Sequence, residues 1–430
     1  MIGIVVSRAD EASVHIGEHL RSLANWEERA DGVYRTDGFE LREFDGLHLH
    51  LDGVAERFDD PDCVVFASRH SGDSGRLLSA HYTGNFGAAE YGGADRDLST
   101  PCPTAHKHVV QSLTAHAPDG WDVAMECTHH GPTEIGAPAM FVELGSSEAE
   151  WRDPDGARAV AKSILELGSH TDESARTVVG FGGNHYAPRP TRLIRETDVA
   201  VGHVAADWSL EELGNPPTHE TLIGEMFRTS GADVAVFEGD HPEVRSVLED
   251  LGHRVVSETW IRATAGRSME LIEAVEESLC SVEAGLRFGA VETTGAAFVV
   301  ESLPDDLLAE CHGIDTAETL RAVESATVAF ETVENGNRVE GSSAFVSRTG
   351  YDDLVERLVE ILERDYDTVR RADDEVVAER DAFDPEAAHE AGVPEGPLFG
   401  KLASGQQVEV EGKTISPEQA QKREIRRFAV

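Results

Sequence analysis

Short runs of β-branched and other apolar residues alternate with stretches of helical period through the first two thirds of this chain. That alternation limits the fold more than any other feature. Strands are predicted over residues 2–6, 63–67, 121–125, 139–144, 177–181, 199–204 and 233–237, and helices over 10–24, 104–117, 147–167, 218–230 and 241–251. Buried strands joined by helices build an open α/β sheet, mainly parallel, with helices on both faces. The regular region ends near residue 275. Beyond it, residues 281–340 mix Gly, Glu and Val with weak periodicity, 351–381 read as a long charged helix, and Pro-Gly punctuation returns at 392–401. A length of 430 residues leaves room for two or three domains. The expected division is an α/β unit over 1–275 and a C-terminal α+β extension over 276–430.

The chain carries 81 acidic and 37 basic residues, a formal charge of −44. The acids lie between apolar segments along the whole length, so they coat a folded surface rather than form a tail. Only Lys107, Lys162, Lys401, Lys413 and Lys422 are lysines; Arg supplies the other cations. Such a surface repels itself in dilute buffer. At molar salt the Debye length falls to about 3 Å and the repulsion is screened. The composition therefore points to a halophilic, salt-saturated cytoplasm, and it does not exclude a nucleic-acid partner. Cys63, Cys102, Cys127, Cys280 and Cys311 are scattered without a CxxC, as expected of reduced thiols in a cytosol. No stretch reaches the roughly 18 to 20 apolar residues of a membrane span, and the first residues lack the basic region of a secretory signal. A cytoplasmic protein without a membrane partner is expected.

The 19 histidines are unevenly placed. Several follow predicted strands: Arg69-His70, the run Glu126-Cys127-Thr128-His129-His130-Gly131-Pro132, the run Gly182-Gly183-Asn184-His185-Tyr186, and His203. Ligands of open α/β sheets bind in the crevice beyond the carboxyl ends of the strands, so imidazoles from several strand ends would meet there. Adjacent imidazoles beside Gly-Pro suit a binding loop. Gly182 and Gly183 allow a tight turn or a close approach; Asn184 could donate to an oxyanion and His185 could transfer a proton. Imidazole and carboxylate together suit Zn²⁺, which makes a water acidic near neutral pH, and His alone can act as a general base. Either route leads to hydrolysis of an ester or amide. A GxSxG elbow, a Walker A loop and a GxGxxG in context are absent. His48-Leu49-His50-Leu51-Asp52 resembles the HxHxD core of metallo-β-lactamase-fold hydrolases, but position 53 is Gly where that motif continues with His. Alternation within a short hairpin strand also puts both rings on one face, and that reading is preferred to a metal site. Arg189, Arg192 and Arg195, and Lys422, Arg423, Arg426 and Arg427, are the basic clusters that could meet phosphate.

With these residues in hand, the chain resembles the archaeal and plant type of D-aminoacyl-tRNA deacylase. The likeness rests on residues 2–7, SRHSGDSGRLLSAHYTGN (68–85), ECTHHGPT, VELGSSEAEW (142–151), GFGGNHYAPR (180–189) and VGH (201–203), in that order. It extends to about residue 275. The middle of the 68–85 segment, GDSGRL, departs from the more apolar, Pro-containing pattern of the family. The resemblance implies hydrolysis of the ester between a D-amino acid and the terminal ribose of tRNA. It also implies zinc as cofactor and an α/β core similar to peptidyl-tRNA hydrolases and nucleoside phosphorylases.

On this reading His129, His130 and His203 with Glu126 hold the metal, and His129, His130, His185, Asn184 and Glu134 act on the ester. Asn184 and the N–H groups of Gly182 and Gly183 receive the oxyanion. His70, His81, Tyr186 and Arg189 bind the acceptor end, the last two through stacking and phosphate contact. A monomer is expected. The alternatives are a metal-independent peptidyl-tRNA or nucleoside hydrolase on the same scaffold, and a non-catalytic protein that cradles the tRNA acceptor end. Residues 392–417 resemble a segment of tRNA 3′-processing endonucleases without their HxHxDH. Residues 386–430 are therefore either a tRNA-handling segment or a β-hairpin that packs on the core.

Overall fold

The computed structural model describes residues 1–169 and 176–430. They form two compact units, Met1–Ala265 and Gly266–Val430. The first is an α/β structure built on mainly parallel sheets flanked by helices.

Its larger sheet has eight strands in the order Glu27–Ala30, Val33–Thr36, Phe39–Phe44, Ile2–Ser7, Cys63–Arg69, Ala139–Gly145, Leu77–His81 and Asp122–Met125. The run from Phe39–Phe44 to Ala139–Gly145 is parallel. Leu77–His81 then runs antiparallel to Ala139–Gly145 and pairs in parallel with Asp122–Met125. The first two strands extend the sheet as an antiparallel meander. Their sequences, EERA and VYRT, carry no apolar alternation, which is why the sequence reading passed over them.

Helix Glu11–Leu23 begins at Asp10, whose carboxylate accepts the N–H groups of Ala12 and Ser13. Helix Pro154–Glu166 begins at Asp153 in the same way, with Pro at its first position. Ile16 and Leu20 of the first and Ala157, Val160 and Ile164 of the second are fully buried. Period-two alternation divides the Ala139–Gly145 strand between two sides. Leu144 meets the Gly156 turn of the second helix. Phe141 and Glu143 look into a cleft on the opposite face.

The second sheet of this unit is wholly parallel, in the order Ala200–Ala205, Thr177–Gly182, Val234–Glu238, Arg254–Val256. Helices Glu220–Ser230 and Pro242–Asp250 supply Ile223, Met226, Phe227, Val244 and Leu248 to its core. The 128 loop is tied to it: Thr128 N–H donates to the Val204 carbonyl at 2.8 Å, and Tyr82 hydroxyl to Val201 at 2.9 Å.

The second unit is α+β. Leu286–Phe288, Ala329–Val333, Arg338–Phe345 and Val299–Ser302 form an antiparallel sheet. Helices Asp305–Ala326 and Arg348–Leu362 share a core with it through Leu307, Val323, Phe345, Leu354 and Leu358. The helix expected over 351–381 stops at Leu362. Thr368–Arg371 and Glu375–Phe383 are strands, paired antiparallel with each other and with Gln421–Ala429. Val376 and Ala378, two apart and fully buried, give the strand period that the surrounding charges obscured. Residues 385–420 fold as two short helices and the hairpin Val408–Val410/Lys413–Ile415 over a small core of Ala388, Val393, Leu402, Val408, Ile415 and Ala420.

Candidate active site

Four segments bring imidazoles together in the first unit. His70 follows Cys63–Arg69, and its N–H donates to the Leu144 carbonyl. His81 ends its strand opposite Phe141. His129 and His130 lie in the loop after Asp122–Met125, and His185 follows Thr177–Gly182. Ring centroids are 4.1 Å apart for His81 and His129, 4.4 Å for His129 and His130, 4.7 Å for His129 and His185, and 6.2 Å for His70 and His185. The cluster differs from expectation in one respect. Because Leu77–His81 and its parallel partner Asp122–Met125 both run opposite to Ala139–Gly145, the carboxyl ends do not all align, and the rings gather at the antiparallel seam.

The loop that carries two of the rings is held by close contacts. Cys127 N–H donates to the His185 carbonyl at 2.8 Å. A Cβ on Gly131 would lie 2.2 Å from the Gly93 nitrogen, so only glycine lets the two backbones pass. His130 takes a left-handed φ of 45°. Such a conformation in a non-glycine residue is costly and is held here by its surroundings.

Two buried carboxylates complete the centre. Glu126 meets His185 Nε2 at 2.7 Å through Oε2 and His70 Nδ1 at 3.0 Å through Oε1. Glu143 lies 3.5 Å from His70 Nδ1 and 3.6 Å from His81 Nε2. Burial favours neutral forms on both sides, but the ion pairs outweigh it. His70 is pushed up to about 11 against its burial, by hydrogen bonds to Glu126 and Glu143. His185 rises to about 9, again against burial, through Cys127 and Glu126. Glu126 and Glu143 fall below the usual carboxylate range despite their burial, because imidazoles face them.

The other rings behave differently. Burial, followed by the charge on His81, pushes His130 down to about 4 and His129 well below its ordinary value. Both rings therefore stay neutral. His129 Nδ1–H donates to the Cys127 carbonyl at 2.8 Å, His130 Nδ1–H to Gly131 at 2.7 Å, and His81 Nδ1–H to Tyr82 at 3.0 Å. His129 and His130 are thus left with Nε2 as a ligand atom. His81 Nε2 is buried without a hydrogen-bond partner, and this ring, whose protonated form Glu143 favours, would have to release its proton to bind a metal. One ring nitrogen from each of the three lies within 4.8 Å of the other two. Imidazoles anchored through the far nitrogen to backbone carbonyls are the usual donor set for Zn²⁺, and these residues fit it. The triads Cys127, His129, His185 and His70, Glu126, His185 are equally close.

The rings open onto a cleft of about 640 Å³, whose walls include Arg69, Phe141, Glu143, Trp208 and Tyr91. None of these was singled out from the sequence. Glu143 had a signal: a carboxylate in the middle of the apolar strand AMFVELG is seldom buried unless paired. Tyr91, which is 67 % exposed, and Trp208 sit in loop and helix contexts that announce nothing.

Of the residues expected at the site, Tyr186 joins it: its hydroxyl donates to Ser74 Oγ at 2.9 Å and lies 3.3 Å from His70 Nε2. Others are placed elsewhere. His203 lies inside a strand with both ring nitrogens engaged, Nδ1 with Thr128 Oγ1 at 2.9 Å and Nε2 with the Ser99 carbonyl at 3.0 Å, so no lone pair is free for a metal. Glu134 is exposed and does not line the cleft. Asn184 is exposed, its side-chain oxygen accepting from Tyr186 N–H. Gly183 N–H donates to Asp207 Oδ1 at 3.2 Å. A Cβ on Gly182 would strike the Glu238 carbonyl and His241 at 2.1 Å, so the glycine pair serves that close approach rather than an oxyanion. Arg189 donates to the Phe237 carbonyl. His48 and His50 lie on a 3₁₀ turn, not a strand. His48 is buried near Asp10 and Ser13, while His50 is exposed.

These features define a class: an α/β protein with a buried histidine–carboxylate centre equipped for hydrolysis. Comparison narrows it. The profile of the family described as D-aminoacyl-tRNA deacylase matches residues 57–256. A D-aminoacyl-tRNA deacylase of Halobacterium salinarum is 54% identical, over 97% of this chain and 92% of its own. That of Halorubrum lacusprofundi is 50% identical over 100% and 97%, and that of Methanococcoides burtonii 31% over 98% and 95%. A crystal structure of a conserved protein of unknown function superposes with a TM-score of 0.55 at 30% identity, covering 59% of this chain and 94% of that one. The chain belongs to the D-aminoacyl-tRNA deacylase family.

Proposed function

We propose that this chain hydrolyses the ester between a D-amino acid and the terminal ribose of tRNA, releasing the amino acid and a reusable tRNA. Family membership supports the substrate. The observation that carries the chemistry is the set of three imidazoles, each anchored through Nδ1–H to a backbone carbonyl, beside two buried carboxylates, with His129, His130 and Glu143 of this group lining the cleft. His81, His129 and His130 would hold zinc, which supplies Lewis-acid activation of water near neutral pH. Glu126 and His185 share a proton across 2.7 Å. That pair is placed to take a proton from the attacking water and return it to the departing ribose oxygen. The Tyr186 hydroxyl, held between Ser74 and His70, would serve as a donor to the ester oxygen on turning from Ser74. Trp208 and the exposed Tyr91 offer faces on which the terminal adenine of the acceptor end can stack. Chirality would come from walls that reject the L side chain. A halophilic cytoplasm, supported by the charge of −44 and by relatives from Halobacterium and Halorubrum, and a monomeric state complete the reading.

The test is deacylation of D-Tyr-tRNA against L-Tyr-tRNA by the purified chain in molar KCl, with metal analysis of the same sample. Clearance of the D ester alone, with zinc retained, is expected. Equal rates on both esters, turnover of N-acyl-aminoacyl-tRNA instead, or tight tRNA binding without turnover would each overturn the reading.

A further inference from the structure

The cleft is lined by Asp10, Glu90, Glu143 and Glu212, and by a single Arg or Lys among the described residues, Arg69. No carboxylate of the described residues forms an ion pair with that guanidinium. Arg8, Arg35, Arg42, Arg152 and Arg192 each meet one, whereas Arg69 is among several described arginines that do not; what distinguishes it is its place in the wall of the cleft. Asp10, the nearby acid, is engaged otherwise: Oδ1 caps the helix at Ala12 and Ser13, and Oδ2 accepts the Arg69 backbone N–H at 3.2 Å. The guanidinium carbon instead lies 5.1 Å from the centre of the Trp151 ring. That ring is itself fixed, its Nε1–H donating to the His70 carbonyl at 2.9 Å and its own carbonyl accepting from His15. Arg69 is thus a half-buried cation, held against an aromatic face one residue from the catalytic imidazole cluster, with its hydrogen-bonding edge uncommitted.

We propose that Arg69 is a specificity-determining residue that takes the 5′-phosphate of the terminal nucleotide, with Trp151 as its positioning residue. The inference rests on the deacylase reading. It follows from the substrate's chemistry: once the amino acid is esterified its carboxylate is gone, and the anion nearest the reacting ester is the phosphate on the other side of the same ribose. A guanidinium fork suits a phosphate bidentately. A half-buried contact also survives the salt that screens exposed ones, so it serves a protein that cannot rely on long-range attraction.

The experiment compares 3′-O-D-tyrosyl-adenosine with its 5′-monophosphate as substrates, in molar KCl. Wild type is expected to show the lower KM for the phosphate form. Arg69→Ala raises that KM at least about tenfold, the scale of a lost charge-assisted hydrogen bond, and leaves the nucleoside ester within about twofold. Arg69→Lys recovers part of the loss. A change that falls equally on both substrates would mark a structural role and overturn the proposal, as would no change on either. Binding of AMP and adenosine to wild type and Arg69→Ala gives a readout without catalysis. Wild type should prefer AMP at least about tenfold, and the variant should bind the two alike; a wild type without preference sinks the inference. Failure of wild type on D-Tyr-tRNA would remove the deacylase reading, and the AMP arm would still decide this one.

Discussion

The cleft of the first unit and the strand Gln421–Ala429 of the second both concentrate ionisable groups, with opposite results. In the strand, Arg423 meets Glu379 at 3.0 Å and Asp381 and Asp367 at 3.3 Å, Arg427 meets Glu375 at 2.8 Å, Lys422 meets Asp384 at 3.6 Å, and Arg426 meets Glu310. Cross-strand register with Glu375–Phe383 puts opposite charges side by side on a wet surface, and little remains for a phosphate. In the cleft, Glu126 and Glu143 are buried, and each faces imidazoles that it keeps charged. His129 and His130, with no carboxylate as close, stay neutral and keep Nε2 open. A cluster of charge in a sequence is therefore not yet a site. What decides is whether the fold brings compensating partners to the surface or leaves donor atoms uncommitted in a cavity.

The sharpest way to break this contrast is to remove cleft residues. His129→Ala and His185→Ala are each expected to lower turnover on D-aminoacyl-tRNA at least about a hundredfold, the scale of a lost proton-transfer group or metal ligand. His129→Ala should also lower the zinc content of the purified protein, whereas His185→Ala, outside the His81, His129, His130 set, should keep it. Near-normal rates in both would take the cluster out of the chemistry. Glu126→Gln keeps the shape but removes the charge that His185 and His70 face. A loss of about a hundredfold in kcat with little change in KM is expected, and an altered KM alone would reassign Glu126 to substrate binding.

How much of this was legible in the sequence follows from the physics of each part. All seven predicted strands of the first unit are present, because buried strands must be apolar and β-branched wherever they lie. The charged strands at 27–36, and those hidden in 351–381, were invisible because strands with a solvated face need no such apolar run, whether at an edge or, like Val33–Thr36 and Glu375–Phe383, between two others. The meeting of the His70, His129, His130 and His185 segments was legible because strand-end loops are where such folds place function. The exclusion of His203 was not: it sits two residues before the end of its strand, and only coordinates show that Thr128 and Ser99 occupy both its nitrogens. Glu143 was overlooked for the reverse reason, as a charge within a strand that reads as core.

His203 therefore supplies an intermediate test. It is fully buried, and its replacement by Ala leaves two polar partners unpaired and a void, a cost of about 3 kcal/mol. Activity measured well below the unfolding temperature should stay within about threefold of wild type. Burial pushes the ring down to about 4 from its ordinary 6.5. The neutral ring's contribution is thus complete above about pH 6.5 and is lost as pH falls towards 4, where the unfolded chain takes up the proton and the folded one does not. Unfolding midpoints followed across that window in molar KCl should decline less steeply in His203→Ala than in wild type. Equal slopes would mean the ring is not held neutral, and loss of activity or of zinc would return His203 to the site.

The smallest effect belongs to the other side of the comparison. Arg427 is exposed and shares its guanidinium between both oxygens of Glu375, at 2.8 and 3.0 Å. An exposed pair of this kind is worth about 0–1 kcal/mol, less in molar salt. Arg427→Ala should shift the unfolding midpoint barely, and D-aminoacyl-tRNA affinity should keep the same value and the same dependence on KCl concentration, because no phosphate contact is removed. Had the strand been a phosphate-binding surface, deleting one cation would weaken binding and lower the salt slope by about one. A measurable fall in that slope would show that the carboxylates give way to RNA, and the contrast between committed and uncommitted charge would have to be redrawn around competition rather than neutralisation.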